Sequence, residues 1–159
     1  MKITIVCVGK IKEKFYSEAI AEYSKRLSRY CNLEILEVAD EKTKEQASET
    51  EMELIKNREG ERILKVVKED SYVIALAIDG RQYDSIELSR HLEQLGIRGK
   101  SHISLVIGGS LGLSEKVLAR ADEKLSFSKL TFPHQLMRVI LLEQIYRSFR
   151  IMNHEPYHK

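Results

Sequence analysis

The sequence predicts an α/β fold: a mostly parallel sheet with helices on both faces. Five short apolar runs alternate with helical segments along the 159 residues. This alternation is typical of parallel strands joined by crossover helices. Several runs are apolar at successive positions, which indicates strands that are covered on both faces. A chain of this length is expected to form a single domain over residues 1–159.

The first half of the chain contains three predicted strands and two predicted helices. A strand over Met1–Gly9 is followed by a helix that reaches about Tyr30, and a second strand covers Leu33–Ala39. A helix over Glu49–Lys68 follows, and we expect Gly60 to break or bend it. One buried face of the first helix is predicted at Phe15, Ala19, Tyr23 and Leu27.

The third strand and its neighbours have clear boundary signals. The strand Tyr72–Ile78 is expected to end at the turn Asp79-Gly80-Arg81. The helix Ser85–Leu95 is expected to close at Gly96 as its C′ residue. A fourth strand covers Ile103–Ile107.

The last elements carry two unusual patterns. Ser114 is predicted to cap a short helix, and a fifth strand covers Leu125–Phe127. The final helix has Pro133 in its first turn and extends to about Met152. It is apolar around most of its circumference, so it must be covered nearly all round. Either the core of one chain or a partner subunit in a homodimer would cover it.

Composition is that of a globular protein with a mild charge. Hydrophobic residues are 43%, charged residues 31%, and the formal net charge is +2. No apolar run is long enough to span a bilayer, and Ile3–Val8 is predicted as a strand and not as a signal sequence. Cys7 and Cys31 lack metal-type spacing and are expected to be buried reduced thiols, which indicates a cytoplasmic protein. The charge does not require nucleic acid, but it leaves room for an RNA partner.

Two loops are predicted to form one ligand pocket. Gly108-Gly109-Ser110-Leu111-Gly112 follows the fourth strand, and Ser126–Pro133 follows the fifth. Glycines let backbone approach a ligand closely, while the second loop mixes hydroxyls with apolar side chains, as a nucleoside pocket requires. Ligands of parallel sheets bind outside the carboxyl ends of the strands. Each loop taken alone is also consistent with a simple structural turn.

The final helix and the tail hold a second group of polar residues. Glu143, Arg147 and Arg150 share one side of the helix, either as a stabilising ion-paired strip or as part of a site at a subunit seam. The tail, residues 153–159, is either disordered or folds over RNA with a stacking Tyr157 and a cationic Lys159. Its two histidines lack a third ligand, so no metal site is predicted.

Several motifs of the chain together resemble one known family. The motifs are Val8-Gly9-Lys10, the glycine loop Leu105–Leu113, the segment Leu125–His134, the helical Leu142–Arg147 and the tail Asn153–Lys159. In combination they are similar to the ribosomal large-subunit pseudouridine N3-methyltransferases, which are small members of the SPOUT class. The resemblance covers the full chain.

The resemblance implies a fold and a cofactor. It implies a C-terminal trefoil knot, a homodimer and S-adenosylmethionine bound in a bent conformation by the knot loops. Knots of this kind are rare exceptions to the usual rules of chain connection. The implied cofactor contacts are Leu76, Gly108, Phe127, Ser128, Lys129, Leu130, Thr131 and Phe132.

The resemblance also implies a substrate and catalytic residues. The substrate would be a pseudouridine of large-subunit rRNA, methylated at N3 on the assembled ribosome. Glu143 and His158 are the predicted proton-handling groups. Arg147 is expected either to hold Glu143 ionised or to stabilise developing negative charge, and Tyr157 either to stack on the base or to orient it. Lys159 stands where family members often have arginine, so it keeps the charge and loses the planar guanidinium. The alternatives are a related SPOUT tRNA methyltransferase and a ribosome assembly factor without catalysis.

Overall fold

The computed structural model describes residues 1–159 and contains one five-stranded sheet flanked by five helices. None of these helices combines the length and apolar character that a bilayer-spanning segment requires. The elements in chain order are β1 (Lys2–Val8), α1 (Lys14–Leu27), β2 (Asn32–Val38), α2 (Glu49–Val66), β3 (Tyr72–Gln82), α3 (Ser85–Ile97), β4 (His102–Ile107), α4 (Glu115–Arg120), β5 (Glu123–Ser126) and α5 (His134–Met152).

The sheet is entirely parallel, with the strand order β2-β1-β4-β3-β5. The predicted α/β class with a parallel sheet is therefore confirmed, while the trefoil knot stays a prediction. Because all strands run in one direction, their carboxyl ends lie along a single edge of the sheet. The loops that follow β4 and β5 meet at this edge, beside β3.

Both faces of the sheet are buried. On β1, Ile3, Ile5 and Cys7 pack into a cluster with residues of α1, α3 and α5, while Val6 and Val8 pack into a second cluster with residues of α2 and α4. Alternate residues of a strand point to opposite faces, so a strand that is apolar at successive positions contributes to both clusters. Helices cover both faces, as predicted.

The two thiols are free. Burial raises the pKa of Cys7 to about 12 and that of the half-buried Cys31 to about 11. Both groups therefore stay protonated and unreactive at neutral pH. The expectation of reduced thiols is confirmed, and only Cys7 is fully buried.

The expected break at Gly60 is wrong, because α2 continues through this residue. A Cβ placed on Gly60 would lie 2.3 Å from Oγ of Ser114. Ser114 is the N-cap of α4, as predicted, and accepts a hydrogen bond from the amide of Val117. The glycine is needed because α2 and the start of α4 are in contact.

The predicted C′ residue of α3 is also wrong. Gly96 lies inside the helix, and the residue with the left-handed conformation is Gly99, with φ +84°. The amide of Lys100 donates to the carbonyl of Leu95 and that of Gly99 to the carbonyl of Gly96, at 2.9 and 3.0 Å. This is the Schellman arrangement, which ends the helix one turn later than the sequence signal suggested.

The strand β3 does not end at Asp79-Gly80-Arg81. Leu76 and Arg81 both pair with Leu125 of β5, and the register shifts between them. The turn signal therefore produces an irregularity within the strand. A Cβ on Gly80 would lie 2.7 Å from the backbone of Lys124, so only glycine allows the two strands to approach this closely.

The start of β5 differs from the prediction, since the strand begins at Glu123 and ends before Phe127. The carboxylate of Asp122 accepts a hydrogen bond from the amide of Val73 at 2.7 Å and fixes this start. The first two residues of the strand, Glu123 and Lys124, are both polar. Hydrophobic periodicity therefore gave no signal for the beginning of the strand.

The predicted buried face of α1 is partly wrong. Phe15 is 62% exposed, whereas Ile20, Tyr23 and Leu27 pack against the core. Phe15 lies about 140° around the helix from Ile20 at 100° per residue, which places it off the covered side.

A single chain covers α5 only in part. The helix packs against α1 and α3, and seven of its 19 residues are buried, among them the polar Arg138 and Ser148. The other twelve are partly exposed, so the core of one chain does not account for the whole apolar circumference.

Replacing the two helical glycines Gly60 and Gly96 by alanine should have opposite effects on the free energy of unfolding. Gly60→Ala should lower the free energy of unfolding by about 1–3 kcal/mol because the new methyl group overlaps the cap of α4. Gly96→Ala is the matched control: its nearest neighbour is the flexible end of Met1, and alanine favours a helix by about 0.5–1 kcal/mol. Urea unfolding measures both values, and equal stabilities of the two variants would contradict the packing role of Gly60.

Candidate active site

A cavity of about 640 Å³ opens at the carboxyl ends of β4 and β5, beside residues 76–78 of β3. Its walls are these parts of the three strands, the two loops that follow β4 and β5, and the first turn of α5. The lining is mostly apolar, with hydroxyl groups from Ser110, Ser128 and Thr131 among it. This size and composition are typical of a small-molecule or cofactor site.

The loop after β4 is a tight glycine turn. The amide of Gly112 donates to the carbonyl of Gly109 at 3.1 Å, and Gly112 has φ +86°. A Cβ on Gly108 would lie 2.9 Å from the backbone of Gly112. Side chains are thus excluded from the inside of the turn, and backbone groups form this wall of the cavity.

The loop after β5 is held by its own hydroxyls. The hydroxyl of Ser126 donates to the carbonyl of Ser128 at 3.1 Å, and the hydroxyl oxygen of Ser128 accepts from the amide of Leu130 at 3.0 Å. These bonds between side chain and backbone replace regular secondary structure and fix the loop against the cavity.

The predicted cofactor residues converge on this cavity, with one exception. Lys129 does not line it, and its side chain is exposed. The lining includes the other predicted residues Leu76, Gly108, Phe127, Ser128, Leu130, Thr131 and Phe132.

Sequence reasoning missed six lining residues: Ala77, Ile78, Ile107, Leu125, His134 and Met137. Ile78 belongs to the irregular part of β3, directly before the residues that the sequence presented as a turn. His134 and Met137 occupy one face of the first turn of α5. They are three residues apart and directly follow the start signal Pro133, and this spacing could have identified them as neighbours on one face of the helix. Burial, followed by the charge of Arg138, lowers the pKa of His134 below its usual value, which favours a neutral imidazole beside the cavity.

A buried arginine fixes the start of α5. Arg138 donates through Nη1 to Glu37 at 2.7 Å, and through Nη2 to the carbonyls of Val8 and Gly9 at 3.0 and 2.7 Å. Its side chain is only 3% exposed. These bonds tie the cavity-lining turn of α5 to the end of β1.

A second polar cluster lies farther along α5 and comprises Glu143, Arg147, Tyr157 and His158, called here the Glu143 cluster. Arg147 donates through Nε and Nη2 to Oε1 of Glu143 at 3.0 and 2.5 Å, and the hydroxyl of Tyr157 donates to the same oxygen at 3.0 Å. The guanidinium also lies 4.7 Å from the ring centroid of Tyr157. The structure thus brings together all four predicted catalytic residues.

The geometry of the cluster determines which groups donate protons. Burial raises the pKa of Tyr157 to about 12, and the bond to Glu143 adds to this effect, so the phenol is a donor at neutral pH. Nη1 of Arg147 lies 3.2 Å from Nδ1 of His158. Arginine can only donate, so Nδ1 accepts and the proton of a neutral His158 is on Nε2.

The tail is ordered by a clasp of three residues, Tyr30, Arg150 and Glu155. The Glu155 carboxylate accepts from the hydroxyl of Tyr30 at 2.7 Å and pairs with Arg150, which also donates to the carbonyl of Pro156 at 2.9 Å. The tail clasp places Tyr157 and His158 beside Glu143. Lys159 makes no ion pair or side-chain hydrogen bond.

Within one chain, the Glu143 cluster and the cavity are separate. None of the four residues of the cluster lines the cavity. Glu143 follows Met137 by six residues, which is about 9 Å along the helix and about 120° around it. No group of three or more His, Cys, Asp and Glu side chains is placed to hold a metal ion.

The tail clasp predicts that Glu155→Gln loosens the tail. The substitution removes the charge that holds Arg150, so amide hydrogen exchange of residues 153–159 should accelerate about tenfold. Glu22→Gln, which breaks an exposed pair with Arg26 on α1, is the control and should leave the tail unchanged. Exchange measured by mass spectrometry at equal rates in both variants would exclude the clasp as the ordering element.

Two solved structures are similar to this chain in fold. A probable methylase family protein from Haemophilus influenzae Rd KW20 is similar to this chain with a TM-score of 0.55 at 16% identity, over 99% of this chain and 70% of its own. A Legionella pneumophila protein, solved in complex with bound cofactor SAM, has a TM-score of 0.50 at 12% identity, over 96% of this chain and 66% of its own. At these identities the likeness concerns the fold.

Comparison of sequences is more specific. Residues 1–158 match the family described as "Predicted SPOUT methyltransferase". Proteins named "Ribosomal RNA large subunit methyltransferase H" from Bifidobacterium adolescentis and Clostridium novyi are 62% and 63% identical to this chain, each over 100% of both sequences. The chain therefore belongs to the SPOUT methyltransferase family.

Proposed function

We propose that this protein is an S-adenosylmethionine-dependent methyltransferase that methylates N3 of a pseudouridine in large-subunit rRNA on the assembled ribosome. The observation that carries the proposal is full-length identity of about 60% to proteins named as large-subunit rRNA methyltransferases. The mild net charge of +2 is consistent with docking on an assembled ribosome, where surfaces other than the target RNA also contribute to binding. A cytoplasmic location forms part of the proposal, since that is where a bacterial-type ribosomal substrate would be met.

The cavity fits the cofactor that the family uses. Apolar walls from Leu76, Phe127 and Met137 suit an adenosyl group, and the glycine turn leaves backbone groups free to bind its polar edges. When bound, S-adenosylmethionine supplies an activated methyl group on a sulfonium. The protein then has to hold the two reactants in line and remove one proton.

The proton is the one on N3 of neutral pseudouridine, and Glu143 is the group we assign to accept it. Its Oε1 is occupied by Arg147 and Tyr157, whereas Oε2 takes one short bond, from Gln144 at 2.9 Å. Oε2 is therefore the more available acceptor. His158 presents Nε2–H and acts as a donor to the base, while Arg147 balances the charge on the carboxylate.

We propose that the active site is shared between the subunits of a homodimer. The Glu143 cluster does not reach the cavity of its own chain. At the cavity, Ile78 and Leu130 are 54% and 70% exposed. Apolar side chains of this size at the mouth of a site favour cover by a partner, and a twofold dimer would bring in the partner's Glu143 cluster.

Methyl transfer to ribosomes tests the proposed function. Labelled S-adenosylmethionine and ribosomes from a strain lacking this protein should give one labelled pseudouridine in large-subunit rRNA. Label in deproteinised tRNA would instead indicate a tRNA methyltransferase. Absence of transfer and of cofactor binding at millimolar concentration would indicate a non-catalytic factor.

Glu143→Gln tests the proton acceptor. The amide keeps the shape of the side chain but accepts protons poorly, so kcat should fall about 10²–10⁴-fold with unchanged cofactor affinity. Glu93→Gln, an exposed residue of α3, is the control. Wild-type turnover of both Glu143→Gln and His158→Ala would exclude the assignment.

A mixed dimer tests the shared site. Leu76→Trp should block the cavity and Glu143→Gln should remove the acceptor, so each homodimer is inactive. If sites are shared, a heterodimer of the two variants contains one site with both defects and one intact site, and it should recover about half of the wild-type kcat per dimer. An inactive heterodimer would indicate sites built within single chains.

A further inference from the structure

A cleft between the end of β3 and α3 holds three arginines without a carboxylate partner. Arg81, Arg90 and Arg98 are exposed, line a cavity of about 410 Å³, and take part in no salt bridge. Elsewhere in the chain, Arg62, Arg138 and Arg147 are each paired with a glutamate. Guanidinium groups that have no internal partner keep their donors available for an anion. We call this feature the arginine cleft.

Aromatic side chains orient one of these arginines. The guanidinium of Arg81 lies 4.5 Å from the ring centroid of Tyr83, and Tyr83 stacks on His91 at 5.1 Å. The imidazole of His91 is in turn hydrogen-bonded to Glu123 at 2.7 Å. An aromatic ring can therefore orient the guanidinium of Arg81 while its N–H groups stay free, whereas an ion pair with a carboxylate would occupy them.

The other two arginines come from one side of α3. Arg90 and Arg98 are eight residues apart, and Gln94 lies between them on the same side and also lines the cleft. The one carboxylate of the lining, Glu87, accepts the amide of Asp84 in the capping box of α3. Three arginines against one glutamate give the cleft a charge equal to the net +2 of the whole chain.

The arginine cleft is linked to the Glu143 cluster through the start of α3. The hydroxyl of Ser85 donates to Oε1 of Gln144 at 2.9 Å, and Nε2 of Gln144 donates to Glu143 at 2.9 Å. Tyr83 is two residues before Ser85. The start of α3 thus lies between the arginine cleft and Glu143, so an RNA strand that presents a base to Glu143 is expected to continue toward the cleft.

We propose that the arginine cleft binds the phosphodiester backbone of the RNA strand that flanks the target nucleotide. The inference rests on the proposed function and adds the surface that positions its substrate. Planar guanidiniums match phosphate oxygens in a bidentate way, and most contacts that set the register of a protein on nucleic acid go to phosphates. The exposed lysines at positions 10, 12 and 14 lie just before α1 and at its first residue, and they line neither the arginine cleft nor the cavity of the candidate active site.

The test compares two double variants of equal charge. Arg90→Gln/Arg98→Gln removes two cations of the cleft, and Arg58→Gln/Lys65→Gln removes two exposed unpaired cations of α2. Binding to ribosomes from a strain lacking this protein is measured at several salt concentrations, together with methyl transfer and calorimetry of S-adenosylmethionine.

The cleft variant should bind ribosomes about 10- to 100-fold more weakly than wild type at low salt. The slope of log affinity against log salt should become shallower by about 1.5, because two phosphate contacts are lost. Its rate of methyl transfer at subsaturating ribosomes should fall with the affinity, its affinity for S-adenosylmethionine should be unchanged, and the control variant should match wild type.

Three outcomes would overturn the inference. Wild-type affinity of the Arg90→Gln/Arg98→Gln variant would exclude the cleft from docking. A loss of affinity with an unchanged salt slope would assign the contact to ribosomal protein and not to phosphate. Equal losses in both variants would show a diffuse effect of charge. Failure of the wild-type protein to methylate ribosomes would, separately, refute the proposed function.

Discussion

The parallel pairing of β3 with both β4 and β5 is the constraint on which the candidate site depends. Ile74 pairs with Leu105 on one side, and Leu76 pairs with Leu125 on the other. Strands that run the same way end at the same edge, so β4 and β5 deliver their loops to one place. The two loops share one cavity because β4 and β5, the strands that precede them, lie on either side of β3.

Helix α5 connects the separate parts of the molecule. Its first turn lines the cavity and is tied to β1 by Arg138, its middle carries Glu143 and Arg147, and its last turn holds the tail through Arg150 and Glu155. A buried arginine left without partners would be strongly unfavourable, so these bonds also restrict how the helix can shift. The position of the tail is therefore coupled to the position of the cavity wall through one rigid element.

Local patterns were sufficient for the class of fold and for most of the site. The alternation of apolar runs and helical segments located all ten elements, although several predicted boundaries differ from those in the structure. Ser114 was identified as a cap, and Glu143 and Arg147 as a pair, because both depend on residues three or four positions apart. The hydroxyl-rich loop and the glycine turn were recognised from residue type, since glycine and serine are selected by the backbone geometry of such loops.

The sequence by itself determined which segments become strands, helices and loops, because those choices depend on neighbours a few residues away. Only the tertiary structure decided which residues lie against one another. Gly60 reads as a helix breaker until Ser114 is placed against it, and Phe15 reads as core until α1 is oriented on the sheet. The ordered tail likewise depends on Tyr30 and Glu155, which are 125 residues apart. Contacts between distant residues arise from packing, and local periodicity contains no information about them.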